Sequence, residues 1–231
     1  ALGDLVDVIN AVTEAEIDEK MKEYTDKYTM KTDRIDSVRE QAKYEIGLEK
    51  FLAANGIGAF ADTFQDLHGL KQLPGIAAQN LMAKGIGFGP EGDYKISALS
   101  AVLMKMSEGK EGATGFIEDY TYDLTQGQEL ELASHMVDMG DHFRLICADI
   151  ELVKQPKPMP NLPVARIMYR HKPNFQIGTA AWCYAGGAHH SVVSTALTRD
   201  DIAMFARLTG TELITIGEDT TEADLQKFFM K

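Results

Sequence analysis

The first half of the chain has the apolar spacing of amphipathic helices. Thr13 and Glu16 form a capping box ahead of apolar residues at helical intervals, and this predicts a helix over about 14–27. A second helix is predicted over about 35–54, where an Asn-Gly pair ends it. The residues of this second helix that we expect to face the core are Ile35, Val38, Ala42, Ile46, Leu48, Phe51 and Leu52.

The pattern changes near Gly112, where short apolar runs begin to alternate with turns, as is typical of strands. The strands predicted there lie at 115–124, 129–135, 143–153, 164–171 and 180–185. The remaining predicted elements are a strand at 59–64, helices at about 75–84, 96–106 and 199–209, a strand at 212–216 and a helix at about 221–230. We therefore expect an α/β protein, with an α/β domain over 1–112 and a mostly β domain over 113–231.

Charge and composition narrow the classes of partner. The chain carries 23 basic and 35 acidic residues, a formal net charge of −12. Nucleic acids and anionic membranes both require a basic face, so we expect neither as a partner. No stretch approaches the ~18 consecutive apolar residues of a membrane span, and Asp4 and Asp7 lie where a signal peptide is positive. Because Cys147 and Cys183 lie in apolar stretches without nearby zinc ligands, we expect reduced thiols in a cytoplasmic protein.

Two adjacent histidines are the first candidate site. His189 and His190 end the stretch AGGAHH (185–190), shortly after Trp182, the only tryptophan. Adjacent histidines on a strand or turn diverge, so one can face a site while the other orients it. Imidazole combined with carboxylate oxygen suits Mn²⁺, Zn²⁺ or Fe²⁺ better than Ca²⁺. The alternative is a glycine turn with two solvated histidines.

A pair of carboxylates is the second candidate site. Glu118 and Asp119 lie in a run with the alternation of a strand, which sends them to opposite faces. A carboxylate on the apolar face must be paired, bound to a cation, or shifted in pKa. A functional role, a structural ion pair and a position at the edge of a sheet are all open.

Two loops of the first half could also contact a ligand. His68 lies in DLHGLKQLPG (66–75), which leads into a helix whose first amides could bind anions or hydroxyls. Phe88 lies in a glycine-rich loop over 85–93, which does not match a dinucleotide-binding fingerprint. His135, His142 and His171 fit ordinary surface or internally paired histidines.

Seven stretches, in the same order along the chain, resemble the L-arabinose isomerase family. They are DLHGLKQLPG (66–75), GFGPEGD (87–93), GFIEDYTYDL (115–124), SHM (134–136), DMGDHFRL (138–145), LPVAR (162–166) and AGGAHH (185–190). The resemblance implies a central α/β domain followed by a barrel-like C-terminal domain, and a homo-oligomer. It also implies isomerisation of L-arabinose to L-ribulose, and of D-galactose to D-tagatose, with Mn²⁺ or another divalent cation.

The resemblance assigns roles to individual residues. Glu118 matches a glutamate that binds the metal and acts in acid/base catalysis, and His190 matches a histidine ligand of the metal. His189 lies beside it in the pocket, and Phe88 matches an aromatic residue that packs against the sugar. Two such carboxylates would move a proton through an ene-diol while the cation polarises the sugar oxygens.

The chain departs from the family in two places. The family's N-terminal domain has no counterpart, and the segment that follows SHM, with a second catalytic glutamate and a second histidine ligand, is missing. Asp138 either replaces that glutamate or belongs to the stretch that resumes afterwards. We therefore expect either an isomerase or a non-catalytic or truncated relative that keeps sugar binding or an assembly role. A different metal-dependent sugar hydrolase or lyase is a third, more distant interpretation.

Overall fold

The computed structural model describes much of the chain and divides it into two compact units. The described residues are 2–63, 67–110, 114–123, 130–134, 145–148, 165–168, 177–184, 187–194, 197–210, 212–216 and 220–229. Unit 1 comprises Ala1–Ala101 with Val137–Arg170, and unit 2 comprises Val102–Met136 with His171–Lys231. The division into domains at residue 112 stays a prediction.

Seven helices lie among the described residues. They are α1 (Leu2–Asn10), α2 (Glu14–Lys27), α3 (Ile35–Ala54), α4 (Ile76–Ala83), α5 (Tyr94–Met106), α6 (Arg199–Thr209) and α7 (Glu222–Phe229). Helix α2 begins at the capping box, where the Glu16 carboxylate accepts the Thr13 N–H at 2.9 Å and the Thr13 hydroxyl accepts the Glu16 N–H. Thr198 and Asp201 begin α6 in the same way. The predicted helices that start at these signals are confirmed.

Ten strands form three sheets among the described residues. They are β1 (Thr29–Met30), β2 (Ala59–Ala61), β3 (Gly87–Gly89), β4 (Gly115–Asp123), β5 (Leu130–Ser134), β6 (Leu145–Ala148), β7 (Ala165–Met168), β8 (Ile177–Tyr184), β9 (Gly187–Ser194) and β10 (Glu212–Ile216). The sheet orders are β1-β6-β7, β2-β3 and β10-β8-β9-β4-β5. β1–β6 and β2–β3 are parallel pairs, and the other pairs are antiparallel. The α/β class is confirmed, while closure of the later strands into a barrel stays a prediction.

Helix α3 is the centre of unit 1, because α1, α2 and α4 all pack against it. Its buried apolar side chains include Val38, Ala42, Leu48 and Leu52. A large apolar side chain of this kind contributes about 1.5–3 kcal/mol when it is fully buried. Gly47 lets α1 approach closely, since a Cβ there would lie 2.5 Å from a side-chain carbon of Ile9. The core of unit 1 therefore depends on one long helix and its neighbours.

Unit 2 contains the five-stranded antiparallel sheet, and α6 packs against its edge strand β10. Ile202 and Phe205 are the buried apolar residues of α6. The helix ends at Gly210, which has a left-handed φ of 69°. The predicted strand at 212–216 is confirmed as β10. None of the described helices is long and apolar enough to cross a membrane.

The structure corrects the sequence-based prediction at several points. Helix α1 was not predicted, because nine residues offer few repeats of a helical pattern. Ile35, predicted to face the core, is 41% exposed, since it is the first residue of α3 and lies one turn before the buried Val38. The stretch 85–93, expected to be a glycine-rich loop, contains the strand β3, which pairs with β2. The predicted strand at 59–64 corresponds to the three residues of β2, and 64–66 lie outside the described residues.

Candidate functional site

Both histidines of AGGAHH lie on a strand. Strand β9 lies between β8 and β4, and its pairing with β8 places His189 opposite Trp182 and His190 opposite Ala181. A central strand has hydrogen-bonded neighbours on both sides, so its backbone geometry is well defined. Of the two arrangements left open, strand or turn, the backbone therefore adopts the strand.

Glu118 lies on the strand next to the histidines. Strand β4 pairs with β9 through Phe116 opposite Val193 and Ile117 opposite Val192. Glu118 follows directly and is paired on its other side with Ser134 of β5. The sheet thus brings the glutamate and the histidine pair, which are distant in sequence, onto adjacent strands.

The register also assigns these positions to faces of the sheet. Residues directly opposite each other share a face, and successive residues alternate. Ile117 shares a face with Val192, so His190 takes the face of Ile117, whereas Glu118 takes the opposite face, which is also that of His189. The irregularity in the pairing of β4 with β5 comes after Asp119 and does not alter this count. The register therefore places His189, rather than His190, on the face of Glu118.

Asp138 lies outside the described residues, as do His135, His142 and His171. Among the side chains that the structure describes, no three His, Cys, Asp or Glu residues come together as a metal site. That set does not include Glu118, His189 or His190, whose positions follow from the backbone register alone. The assignment of Glu118 and His190 to a metal stays a prediction.

Phe88 is part of the core of unit 1. It lies opposite Phe60 in the β2–β3 pair, with ring centroids 5.0 Å apart and ring planes at 44°. Its exposed fraction is 0%. The glycines on either side are required by close packing, because a Cβ on Gly87 would lie 2.0 Å from the Ser97 carbonyl oxygen and one on Gly89 would lie 2.1 Å from that of Asp93. The first turns of α5 and the residue before it therefore pack directly against the backbone of β3.

The segment after His68 is held by side chains of α3. His68 is exposed and has a left-handed φ of 50°. The Tyr44 hydroxyl accepts the N–H of Lys71 at 2.6 Å, and Gln41 donates to the Leu73 carbonyl at 2.6 Å. Gln41 also accepts the Ala77 N–H at 3.1 Å in the first turn of α4. Because Ala77 is fully buried and its amide is already bonded, this helix start does not offer that amide to a ligand.

A buried carboxylate joins three helices of unit 1. Glu45 is 2% exposed, and its Oε2 accepts hydrogen bonds from the Tyr24 hydroxyl at 2.5 Å and the Asn80 amide at 2.7 Å. Lys20 and Lys84 approach its Oε1 at 3.4 and 3.3 Å. Burial and the charge of Glu45 raise the pKa of the Tyr24 phenol well above its ordinary value. The partners are all internal, so Glu45 holds the helices together rather than facing a ligand.

A second carboxylate lies where the β2–β3 pair ends. Asp62 follows β2, is partly buried, and accepts backbone hydrogen bonds from the N–H groups of Glu91 and of Asp62 itself. Burial, together with the charge of Glu91, outweighs these bonds and raises the pKa of Asp62 to about 6. Among the described residues of unit 1 whose pKa is shifted, Asp62 ionises nearest to neutral pH.

Gln41, Tyr44, Glu45 and Asp62 were not identified from the sequence. Gln41 and Glu45 are one helical turn apart on α3, among residues predicted to be buried, and this spacing was a usable signal. Asp62 gave no such signal, because its environment depends on a turn far along the chain.

Comparison with known proteins agrees on one family. A model of the L-arabinose isomerase central domain matches residues 1–109, and a model of the L-arabinose isomerase C-terminal domain matches residues 136–212. L-arabinose isomerase 1 of Bacillus licheniformis is 39% identical over 271 aligned positions, which cover 97% of this chain and 55% of that protein. The L-arabinose isomerase of Shouchella clausii is 41% identical over 271 positions, with 98% and 55% covered.

The chain spans about half the length of the curated relatives it matches. The alignments also run over more positions than the 231 residues of the chain, so they contain gaps in this chain. The sequence motifs predict one such gap after SHM, and its position stays a prediction.

Proposed function

Because the chain belongs to the L-arabinose isomerase family, we propose that it catalyses the interconversion of an aldose and its 2-ketose. The proposed substrate is L-arabinose, converted to L-ribulose, with D-galactose and D-tagatose as a second pair. One observation carries the proposal: Glu118 and the two histidines lie on the adjacent strands β4 and β9. The partner is then a small sugar, and we propose a cytoplasmic homo-oligomer.

The residues on β4 and β9 offer a donor set that fits a divalent cation. A carboxylate oxygen and an imidazole nitrogen together suit Mn²⁺ and similar ions. The resemblance assigns the ion to Glu118 and His190, with His189 beside the sugar. We propose that Glu118 holds the ion together with one of these two histidines. When bound, the ion would polarise the sugar oxygens at C1 and C2 as a Lewis acid. Since the register puts His189 on the face of Glu118, the division of roles between the two histidines is itself open to test.

The reaction requires a proton to move between two neighbouring carbons. A carboxylate removes the proton at C2 while O1 gains a proton, so an ene-diol forms. A proton is then returned at C1 while O2 loses its proton, so C1 is reduced and C2 is oxidised. The oxidation and reduction balance within the sugar, and no external redox partner is needed. Glu118 is the proposed first carboxylate. Asp138 is the candidate for the second, unless it belongs to the resumed stretch.

Phe88 is proposed to pack against the sugar. Its side chain is fully buried against Phe60 in unit 1. Contact with a sugar therefore requires that the ring be uncovered when the sugar binds.

A second candidate function is a relative that binds metal and sugar without turnover. The observation that favours it is that no residue of this chain matches the family's second histidine ligand. A site with two protein ligands should bind metal weakly.

Turnover by the 231-residue protein tests the proposal. With Mn²⁺ and L-arabinose we expect ketose to form, and Glu118→Gln should lower kcat by about 10²–10⁴-fold, since it removes the acid/base group and keeps the shape. Glu131→Gln, on the neighbouring strand β5, is the matched control and should retain activity. Binding of Mn²⁺ and sugar without ketose would favour the second candidate, and ketose formation by Glu118→Gln at the unmodified rate would contradict both roles of Glu118.

A further inference from the structure

Trp182, the only tryptophan of the chain, lies on the strand next to the histidine pair. The register of β8 with β9 places it directly opposite His189. Residues directly opposite each other share a face of the sheet, with Cβ atoms about 4.5–5.5 Å apart. Because His189 takes the face of Glu118, Trp182 takes that face as well. The neighbouring strands β8, β9 and β4 therefore each contribute one of these residues to the same face.

Most of the positions that flank Trp182 and His189 on this face have small residues. Each of the two residues has one flanking position on either side along its own strand, two residues away. Three of the four flanking positions are small and the fourth is aromatic: they are Ala180, Gly187, Ser191 and Tyr184. Small side chains beside a large aromatic one leave space for a ligand close to the strands.

The opposite face of the sheet is richer in aliphatic residues. Along β4, β8, β9 and β10, the register gives that face five isoleucine or valine residues and gives the face of Trp182 one, Val193. The five are Ile117, Ile177, Val192, Ile214 and Ile216. An antiparallel sheet commonly packs one face on a core and leaves the other accessible, and β-branched residues favour the packed face. The face of Trp182 and Glu118 is therefore the one better suited to admit a ligand.

The spacing of the strands fits a sugar between Trp182 and Glu118. Neighbouring strands lie about 4.8 Å apart, so β8 and β4 are separated by about 10 Å across β9. A separation of this order matches a monosaccharide held between two side chains. Phe88 would have to be uncovered first, because it is fully buried against Phe60 in unit 1, whereas Trp182 belongs to the same sheet as Glu118.

We propose that Trp182 is a substrate-binding residue, whose indole packs against the carbon–hydrogen face of the aldose bound beside Glu118. The face of an aromatic ring is negative and the C–H groups of a sugar are slightly positive, so the two attract, and the contact removes apolar area from water. Since this contact involves none of the reacting oxygens, it contributes to binding rather than to proton transfer. It rests on the proposed function, which makes the ligand an aldose.

The fluorescence of Trp182 tests the contact in the unmodified 231-residue protein, because there is no other tryptophan in the chain. L-arabitol is the probe, since this polyol has no carbonyl group and cannot be isomerised. With Mn²⁺ present, the emission should shift saturably to shorter wavelength as the polyol replaces water beside the indole. The midpoint should agree with a calorimetric titration of the same sample. Unchanged emission while calorimetry shows L-arabitol binding would overturn the role of Trp182.

Substitutions of Trp182 measure its contribution to affinity. Trp182→Leu should raise the KM for L-arabinose and the Kd for L-arabitol about tenfold, with kcat and Mn²⁺ affinity nearly unchanged. Trp182→Phe keeps an aromatic face and should restore most of the affinity. Tyr94→Leu is the matched control, because it replaces an aromatic residue of α5 that is 66% exposed, and it should leave both constants unchanged. The fluorescence titration needs no variant, so it decides the question even if Trp182→Leu does not fold.

Measuring turnover beside binding separates the role of Trp182 from isomerase activity. Ketose formation by the unmodified protein, with sugar affinity unchanged in Trp182→Leu, would overturn the contact and leave the proposed function intact. L-arabitol binding that depends on Trp182, without ketose from L-arabinose, would support the contact and contradict the isomerase. A protein that binds neither L-arabinose nor L-arabitol would overturn both.

Discussion

Helix α3 and the strand pair β4–β9 place polar residues in two different ways. On α3, Gln41, Tyr44 and Glu45 are buried and each is hydrogen-bonded to other parts of unit 1. On β4 and β9, the backbone register brings Glu118 next to the histidine pair. The difference shows that burial of a polar side chain is not itself evidence of a ligand site. A group whose hydrogen bonds are satisfied internally supports structure. The register of β4 and β9 gives only the strand and the face on which a residue lies.

The largest expected effect is the loss of stability when the buried Glu45 of α3 is replaced. Glu45→Ala should lower the free energy of unfolding by about 3–5 kcal/mol, because the buried Tyr24 hydroxyl and Asn80 amide lose their partner. Urea-induced unfolding measures this change in the free energy of unfolding. Glu49→Ala is the control, since Glu49 is exposed and pairs with Lys84 at the surface, and it should change little. If Glu45→Ala and Glu49→Ala lowered the free energy of unfolding equally, the internal hydrogen bonds of Glu45 would not stabilise the protein.

The next effect tests the strand pair. If His190 is the ligand, as the resemblance implies, His190→Ala should weaken Mn²⁺ binding by about a hundredfold, whereas His189→Ala should mainly raise the KM for the sugar. Calorimetric titration with Mn²⁺ and steady-state kinetics separate these results. The reverse pattern would make His189 the ligand, in line with the shared face of Glu118 and His189. Unchanged Mn²⁺ affinity in both variants would place the metal elsewhere.

The smallest expected effect concerns the close approach of α5 to the backbone of β3 at Gly87. Gly87→Ala should destabilise the protein by about 1–3 kcal/mol, because the added Cβ meets the backbone of α5. Thermal unfolding gives the measurement. Gly58→Ala is the matched control, since nothing lies within 4 Å of its added Cβ, and it should be nearly neutral. Similar losses in both variants would show that the close approach at Gly87 is relaxed at little cost.

Much of the local structure could be predicted, and the reason is visible in α2, α3 and α6. Their starts and faces depend on residues a few positions apart, such as Thr13 with Glu16. Strand β3 could not be predicted, because three residues between glycines have too few alternations and depend on β2 for pairing. The same limit applies to β9, for which the sequence left strand and turn open.

The sequence likewise predicted only part of the candidate site. The residue types and their motifs identified Glu118, His189 and His190, and the family comparisons agree with the resemblance that assigned them. The sequence did not show that β4 lies beside β9, nor which histidine shares the face of Glu118. Those facts depend on the register of hydrogen bonds between distant segments.

By itself, the sequence determined the helices with strong caps, the strand-rich second half and the family. Only the tertiary structure decided that Gln41 and Glu45 are internal partners, that α5 leaves no room for a side chain at Gly87, and that Glu91 takes a left-handed turn beside Asp62. The physical reason is the separation along the sequence of the residues that interact. Capping and periodicity depend on residues only a few positions apart. Burial, close approach and strand pairing are set by segments that meet only when the chain has folded.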